Sequence, residues 1–382
     1  MDLRLSEEQL MFKKMFADFC TKEIRPRGEH IDQAEEPPEG VLQKAVDQGF
    51  WAALVPEDRE GAGMDVYTYM MMLEELGRAD VSTALTLSVH NSLVVKPILD
   101  CGTKEQQERY LPALAFGERL GAFALTEAGA GSDAAALSTR AVHNGDGYRL
   151  HGSKNWVTNG ALAGLFLVFA RTEAGPAVFM VENDAPGLKV GYREKTLGLR
   201  GITANTIYLD DVPVPEKNRL GAEGQGLHIA LDALNLSRLG TAAIALGASQ
   251  RALEEAVAFS IEHIQFGGPI ALKQTIQNYV ADARVQVEAL RCLVGNTALM
   301  ADAGQDYATQ ASIAKLFGSR VAHELTNKMV QVHGGYGYMK DYAIERYYRD
   351  CRALEIIEGT SQIQQFLIAR DIYRAKGLEI RP

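Results

Sequence analysis

Cysteine is scarce in this chain. The four that occur, at 20, 101, 292 and 351, lie far apart, without the paired spacing of a zinc site or of a secreted disulfide framework. Reduced thiols in a cytoplasm-like compartment are therefore expected, bacterial cytoplasm or, in a eukaryote, the mitochondrial matrix. Positive charge is also short: 39 Lys and Arg stand against 49 Asp and Glu, a formal charge of −10. Nucleic-acid binding in general requires a basic face, so this balance argues against it and any phosphate site must be local. Long apolar runs are missing too. None approaches the roughly 18 residues of a membrane span, and no membrane insertion is expected. The opening "MDLRLSEEQL" is charged from its second residue and lacks the apolar core of a signal peptide, so no secreted form is expected either.

What is present is apolar residue in quantity, 47% of 382, more than one compact core holds. Residues 1–118 read as helical, opening on a capping-box sequence from Ser6 to Gln9, with Leu10, Met15 and Phe16 at helix-like spacing; Gly61, Gly63 and Pro112 punctuate the stretch. Over 119–226 the period shortens to β-rich runs, "LFLVFART" at 165 to 172, "AVFMVEN" at 177 to 183 and "NTIYLDDVPVP" at 205 to 215, separated by turn residues. No helical crossover of about 10 residues fits between consecutive strands, which predicts mostly antiparallel pairing. From 227 to 382 the pattern is helical again. Leu246, Leu253, Val257 and Ile261 make one stripe, Val287, Leu290, Val294 and Ala298 a second, and Val321, Leu325, Met329 and Val332 a third. The predicted fold class is α+β: an N-terminal helical domain, a middle antiparallel β domain and a C-terminal four-helix-type bundle.

Several short motifs carry candidate chemistry. "LTEAGAGSD", 125 to 133, has glycines at 129 and 131 before Ser132. It suits close backbone approach to a phosphate or a planar ring, and equally an ordinary loop. "GSKNWVTNG", 152 to 160, sets Trp156 and Thr158 at alternate positions, on one face if extended, as a wall for a flat heterocycle or as a buried core aromatic. "QVHGGYGY", 331 to 338, ends a helix in a Gly-Gly break that is either a C-cap or another close approach. "HELTN" at 323 to 327 has Asn327 where the second histidine of a zinc HExxH would stand, which rejects a metal reading, and Ser132 is not in a GxSxG elbow. "EIIEGTSQIQ", 355 to 364, places the carboxylate of Glu358 beside apolar side chains, where an ionised group is costly unless something pairs with it or uses it.

Taken in order, "FALTEAGAGSD", "GSKNWVTNG", "LGLRGITANTIYLDDVPVP", "QFGGPIALKQ" and "QVHGGYGYMKDYAIERYYRD" leading into "IIEGTSQIQ" resemble the acyl-CoA dehydrogenase family along essentially the whole chain. The resemblance implies FAD, with Leu125, Thr126, Ser132, Trp156 and Thr158 lining the flavin from the β side and Thr360 and Gln362 approaching from the bundle. It implies a homotetramer, a dimer of dimers, in which Phe266, Gln274, Gln331, Gly334 and Gly335 reach a neighbour's cofactor. Glu358 matches the family's base, removing the proton α to a thioester carbonyl while the β carbon gives a hydride to flavin N5, to leave a trans-2-enoyl-CoA. Apolar surroundings, Ile356 and Ile357 among them, would raise its pKa, and its own N–H, with a ribityl hydroxyl, would bind the thioester oxygen together with the adjoining Gly359. Asn235 and Arg238, helped by Ser132, match positions that hold the CoA and pantetheine arm. Some members carry the base directly before that arginine; here Ser237 stands there and is no base.

Three departures bear on the substrate and cofactor. His263 replaces an arginine that contacts the FAD pyrophosphate, Ile357 replaces a tyrosine, and Ala128 a proline. The expected activity is oxidation of a short or medium acyl-CoA, with "SVHNSL" at 88 to 93 resembling short-chain members, and electron-transferring flavoprotein as acceptor. An acyl-CoA oxidase using O2 and a non-catalytic assembly subunit of the same fold are the alternatives.

Overall fold

The computed structural model describes residues 5–381; the charged start of the N-terminal sequence, up to residue 4, lies outside them. The N-terminal helical part comprises α1 (Glu7–Phe19), α2 (Gly28–Ala34), α3 (Glu39–Val46), α4 (Val66–Ala79), α5 (Val81–Ser88), α6 (Lys96–Cys101) and α7 (Lys104–Ala115). The capping box is formed: the Ser6 hydroxyl accepts from the Gln9 N–H, and the Gln9 side chain accepts in return, satisfying two otherwise orphaned donors. The inward face of α1 is Phe12, Phe16 and Phe19 rather than Leu10, which is 54% exposed. Pro112 does not break the chain. It sits inside α7.

The middle part is one sheet of β1 (Leu120–Ala124), β2 (Arg140–His143), β3 (Gly147–Thr158), β4 (Ala163–Thr172), β5 (Gly175–Glu182), β6 (Leu188–Arg193), β7 (Ala204–Pro215) and β8 (Arg219–Leu220). The order is β6-β7-β3-β2-β4-β5-β8, with β1 joined to β4. Pairing is mostly antiparallel as expected, but β1 runs parallel to β4, and β2 meets β4 in a single parallel bridge. Only consecutive strands require a helical crossover to be parallel; β1 and β4 are not consecutive, and a loop and the β2–β3 hairpin join them. The run in β4 is apolar throughout because both faces are covered. Leu165, Leu167 and Phe169 pack with Ile98, Tyr110 and Leu114 of the helices, while Phe166, Val168 and Ala170 pack with Phe179, Ile207 and Val212 of the sheet.

The C-terminal part is α8 (Gly226–Glu262), a small hairpin of β9 (Ile264–Gln265) and β10 (Gly268–Pro269), then α9 (Gln274–Asp302), α10 (Ala308–His333), α11 (Ala343–Ala353) and α12 (Ser361–Arg374). Every residue of α8 from Leu236 to Ser249 is buried, the mark of a helix surrounded on all sides. By length and composition α8 could cross a membrane, with an 18-residue window of mean hydropathy 1.3, but 78% of that window is buried inside the protein. This run is apolar enough to correct the sequence reading, and its neighbours explain it. The stripes on α9 and α10 are buried as expected. On α8, Ile261 is 57% exposed, because the last turn passes beyond the bundle into the exposed hairpin.

Glycine sets the tightest crossing. A Cβ on Gly247 of α8 would lie 1.9 Å from the Glu74 carbonyl oxygen, and one on Gly77 of α4 would lie 2.5 Å from the Ile244 oxygen. The two helices therefore meet backbone to backbone, and residues from both ends of the chain share one core.

Candidate active site

Between α11 and α12 the chain makes a turn of two successive left-handed residues, Glu358 at φ +55° and Gly359 at φ +92°. A non-glycine residue in that region is uncommon and persists where its surroundings enforce it. Gly359 cannot be larger, since a Cβ would come 2.7 Å from Nε2 of Gln364. Thr360 then caps α12, its hydroxyl accepting from the Ile363 N–H.

Three helices hold the turn by its carbonyls. From α8, Arg238 Nε donates to the Glu358 oxygen at 3.2 Å, while its Nη1 donates to Asn235 Oδ1 at 3.1 Å. From α10, Lys315 Nζ donates to the Gly359 oxygen at 2.7 Å. From α12, Gln364 Nε2 donates to both oxygens at 3.1 Å. Asn235, Arg238, Glu358, Gly359 and Thr360 are thus brought together. Gln362, on the first turn of α12, is exposed. Arg238 is buried and already committed to the turn, so it is not a solvated helix charge.

The Glu358 side chain itself is half-buried, and among the described residues no ion pair of 4 Å or less reaches its carboxylate. Burial pushes its pKa above the ordinary value, against the pull of Arg238, Lys315 and the Ser237 hydroxyl. Ile356 does not supply that shielding, being 54% exposed; the buried faces of α8 and α10 do. Ser237 Oγ, buried and unpaired elsewhere, is the hydroxyl that faces this carboxylate.

The "LTEAGAGSD" loop is held differently. Glu127 is buried and accepts from the Ser138 N–H at 2.6 Å, the Thr139 N–H at 3.0 Å and Lys154 Nζ at 2.7 Å. Lys154, with no exposed surface, also donates to the Leu125 oxygen at 3.0 Å. Burial alone would raise the Glu127 carboxyl, but these donors overcome it and hold it at about 2. Burial lowers Lys154 to about 8 despite Glu127. The pair fixes Leu125 and Thr126 against β3, where the Asn155 N–H donates to the Thr126 oxygen at 2.9 Å. Leu125 is buried and Ser132 exposed.

Trp156 is not a core residue. A register shift between Lys154 and Val157 marks a bulge in β3; Lys154 and Val157 both point inward, and Trp156, at φ +54°, is 58% exposed. Thr158 beyond it is partly buried. No hydrogen bond among the described residues joins this loop and strand to the Glu358 turn.

A third group lies at the far end of α8. His263 ends that helix and stacks on Phe259, with ring centroids 4.8 Å apart. With Gly334, Gly335, Tyr336 and others it lines an open cavity of about 540 Å³, which shares no residue with the Glu358 turn. Gly334 is the C-cap of α10 at φ +58°, and Gln331 before it is exposed. Phe266 and Gly267 form the hairpin turn, both with positive φ, and the Phe266 ring is 95% exposed. Gln274 opens α9, also exposed.

These surfaces fit a flavin nucleotide. A Cβ at Gly129, Gly131 or Gly335 would meet nothing within 4 Å, so packing within the chain gives no reason for glycine there. Room for a ligand or another subunit to approach the backbone does. Trp156 and Phe266 are exposed aromatics with positive φ. Among the described residues no group of three or more His, Cys, Asp or Glu is placed to hold a metal; His323 of "HELTN" instead pairs with Glu355 at 2.9 Å. His90 and Asn91 of "SVHNSL" are wholly buried and bond to the Trp51 and Phe50 carbonyls, a structural use.

The sequence reading missed Glu127, Lys154 and Lys315. For Lys315 a signal existed: it shares a helical stripe with Ala311, Gly318, Ala322 and Leu325, all buried.

The acyl-CoA dehydrogenase N-terminal, middle and C-terminal domain families match residues 6–118, 122–212 and 224–373. An acyl-CoA dehydrogenase of Bacillus subtilis is 42% identical over 96% of this chain and 98% of that protein. The CarC subunit of the caffeyl-CoA reductase-Etf complex of Acetobacterium woodii is 40% identical over 95% and 98%. The structure of butyryl-CoA dehydrogenase from Megasphaera elsdenii superposes with a TM-score of 0.96 at 37% identity, covering 98% of this chain and 100% of that one. The chain belongs to the acyl-CoA dehydrogenase family. It is a flavoprotein oxidoreductase that acts on the CH–CH bond of acyl-CoA, with FAD as its cofactor.

Proposed function

We propose that this chain oxidises a short-chain acyl-CoA to the trans-2-enoyl-CoA, with Glu358 as the base that takes the α-proton. The observation that carries this reading is a half-buried carboxylate without an ion pair, its pKa raised, on a turn pinned by Arg238, Lys315 and Gln364. A proton acceptor requires an unsatisfied lone pair and a proton affinity above that of a solvated carboxylate. Glu358 has both. Its own N–H makes no hydrogen bond among the described residues and is the donor for the thioester oxygen, where negative charge develops as the proton leaves. Asn235, Gly359 and Ser132 are the further substrate contacts; Arg238 holds the turn rather than reaching into solvent.

FAD, when bound, supplies the two-electron acceptor for the β-hydrogen. Leu125, Thr126, Ser132, Trp156, Thr158, Thr360 and Gln362 would hold it in this chain. Phe266, Gln274, Gln331, Gly334 and Gly335, with His263, would serve a neighbour's, which makes a homotetramer part of the proposal. Size-exclusion chromatography at four times 41.7 kDa, with FAD lost on dissociation, checks that. The electron acceptor proposed is an electron-transferring flavoprotein, in a cytoplasmic or matrix compartment.

Anaerobic bleaching of the flavin band by acyl-CoA thioesters of increasing length tests the reading. Butyryl-CoA is expected to bleach fastest and Glu358→Gln to slow bleaching by about 10²–10⁴-fold; equal rates in parent and variant would remove Glu358 from the role. A second reading concerns direction. The 40% identity to a caffeyl-CoA reductase subunit favours testing reduction of an enoyl-CoA by chemically reduced enzyme, since a base that accepts the α-proton also returns it.

A further inference from the structure

We propose that Lys315 is a positioning residue for the α-proton transfer: from α10 it fixes the Gly359 carbonyl and keeps a positive charge beside the Glu358 carboxylate, which sets the pH range in which that carboxylate is ionised. This rests on the reading of Glu358 as the base.

Lys315 occupies a core position. Its side chain has no exposed surface, and its helical neighbours Ala311, Gly318, Ala322 and Leu325 pack into the interior. Its ammonium donates to the Gly359 oxygen at 2.7 Å, yet among the described residues it has no carboxylate within 4 Å. A buried ammonium without a contacting counter-ion is costly. A neutral donor such as glutamine would serve the carbonyl, and an apolar side chain would fill the stripe. A charge kept at that cost acts on another charge.

The charged groups around the turn identify which. Arg238 and the Ser237 hydroxyl face it from α8 and Lys315 from α10, exposed Arg370 of α12 acts on Arg238, and Glu355 lies on the same segment as Glu358. Glu355 is already engaged by His323 at 2.9 Å and Arg352 at 2.6 Å. Among the described residues Glu358 is the carboxylate here left without an ion pair. Burial lowers the Lys315 pKa to about 8, which still leaves it charged at neutral pH. A cation nearby favours the ionised carboxylate and lowers its pKa, so Lys315 limits how far burial raises Glu358.

The test uses the FAD-loaded enzyme with acetyl-CoA in deuterium oxide. Acetyl-CoA has α-hydrogens and no β carbon, so deuterium uptake read by mass spectrometry reports proton transfer alone. Parent, Lys315→Gln, Lys315→Arg and Glu358→Gln are compared across pH, with thermal melting and the flavin spectrum confirming the fold. The expected result is an acid limb displaced upward by about one pH unit in Lys315→Gln, and unmoved in Lys315→Arg with a lower rate. An unmoved limb in folded Lys315→Gln overturns the proposal and assigns Lys315 to packing. Should Lys315→Gln fail to fold, Lys315→Arg decides: a held limb with a lowered rate supports the proposal and a displaced limb overturns it. If Glu358→Gln exchanges deuterium at the parental rate, Glu358 is not the base, and the proposed function falls along with this inference.

Discussion

Glu127 and Glu358 are the same amino acid in two loops of one protein, and their surroundings drive them in opposite directions. Glu127 is buried with donors on both oxygens and is held at about 2. Glu358 has two cations near it and one hydroxyl, that of Ser237, and burial still raises it. The difference shows that burial alone does not make a carboxylate a base. Limiting its hydrogen bonds does, because each one stabilises the ionised form that must give up its negative charge to accept a proton. Arg238, Lys315 and Gln364 donate to the backbone of the turn, so the turn is held while the carboxylate keeps lone pairs free.

Breaking the chemical side of the comparison should give the largest effect. Glu358→Gln is expected to lower the rate of flavin bleaching by about 10²–10⁴-fold with an unchanged melting temperature. Breaking the structural side comes next. Lys154→Met strands a buried Glu127 charge and is expected to cost about 3–5 kcal/mol of stability, read by denaturant unfolding, with FAD lost from the loosened loop. Adding Glu127→Gln to that variant should restore part of the loss, because the two sites are coupled.

The pH dependence sharpens the contrast. Turnover is expected to fall with acid through a limb above 4.5, the ordinary value for glutamate, and a kcat/KM profile flat down to that pH would mean a solvated carboxylate. Stability owed to Glu127 has the opposite placement. Its folded pKa is depressed, so its contribution is present above 4.5 and is lost as pH falls toward 2.

The smallest expected effect concerns a third acid. Asp350 is wholly buried and accepts from the Leu199 N–H, and burial, then Asp80, push it up to about 7. A raised pKa contributes stability fully below 3.8 and loses it as pH rises through 7. Asp350→Asn should therefore melt higher than the parent at pH 8, by about 2 °C, and match it near pH 4.

Much of this was legible beforehand, and the failures have physical causes. The Ser6–Gln9 capping box and the β4 run could be read because each is a local pattern with a local cause. The same holds for the stripes on α9 and α10. Glu358 stood out as a carboxylate among apolar residues. Lys154 and Lys315 did not, because lysine ordinarily marks solvent, and only the spacing of its neighbours reveals a lysine turned inward. Trp156 was open to a core reading because period-2 counting assumes an even strand; the bulge at Lys154–Val157 comes from pairing with β7, some fifty residues away. The parallel β1–β4 pair was hidden for a similar reason, since pairing between non-consecutive strands leaves no mark in the turn residues.

The meeting of Gly77 with α8 has a consequence for how the chain is made. The side of α4 that carries Leu73 and Gly77 is covered by Gly240, Ile244 and Gly247, synthesised more than 160 positions later. Until those emerge from the ribosome, the first third has no lid for its greasy side, and folding cannot proceed segment by segment from the N-terminus. A truncated product ending before α8 should be found bound to chaperones or in inclusion bodies, while the complete chain folds in one late, concerted closure.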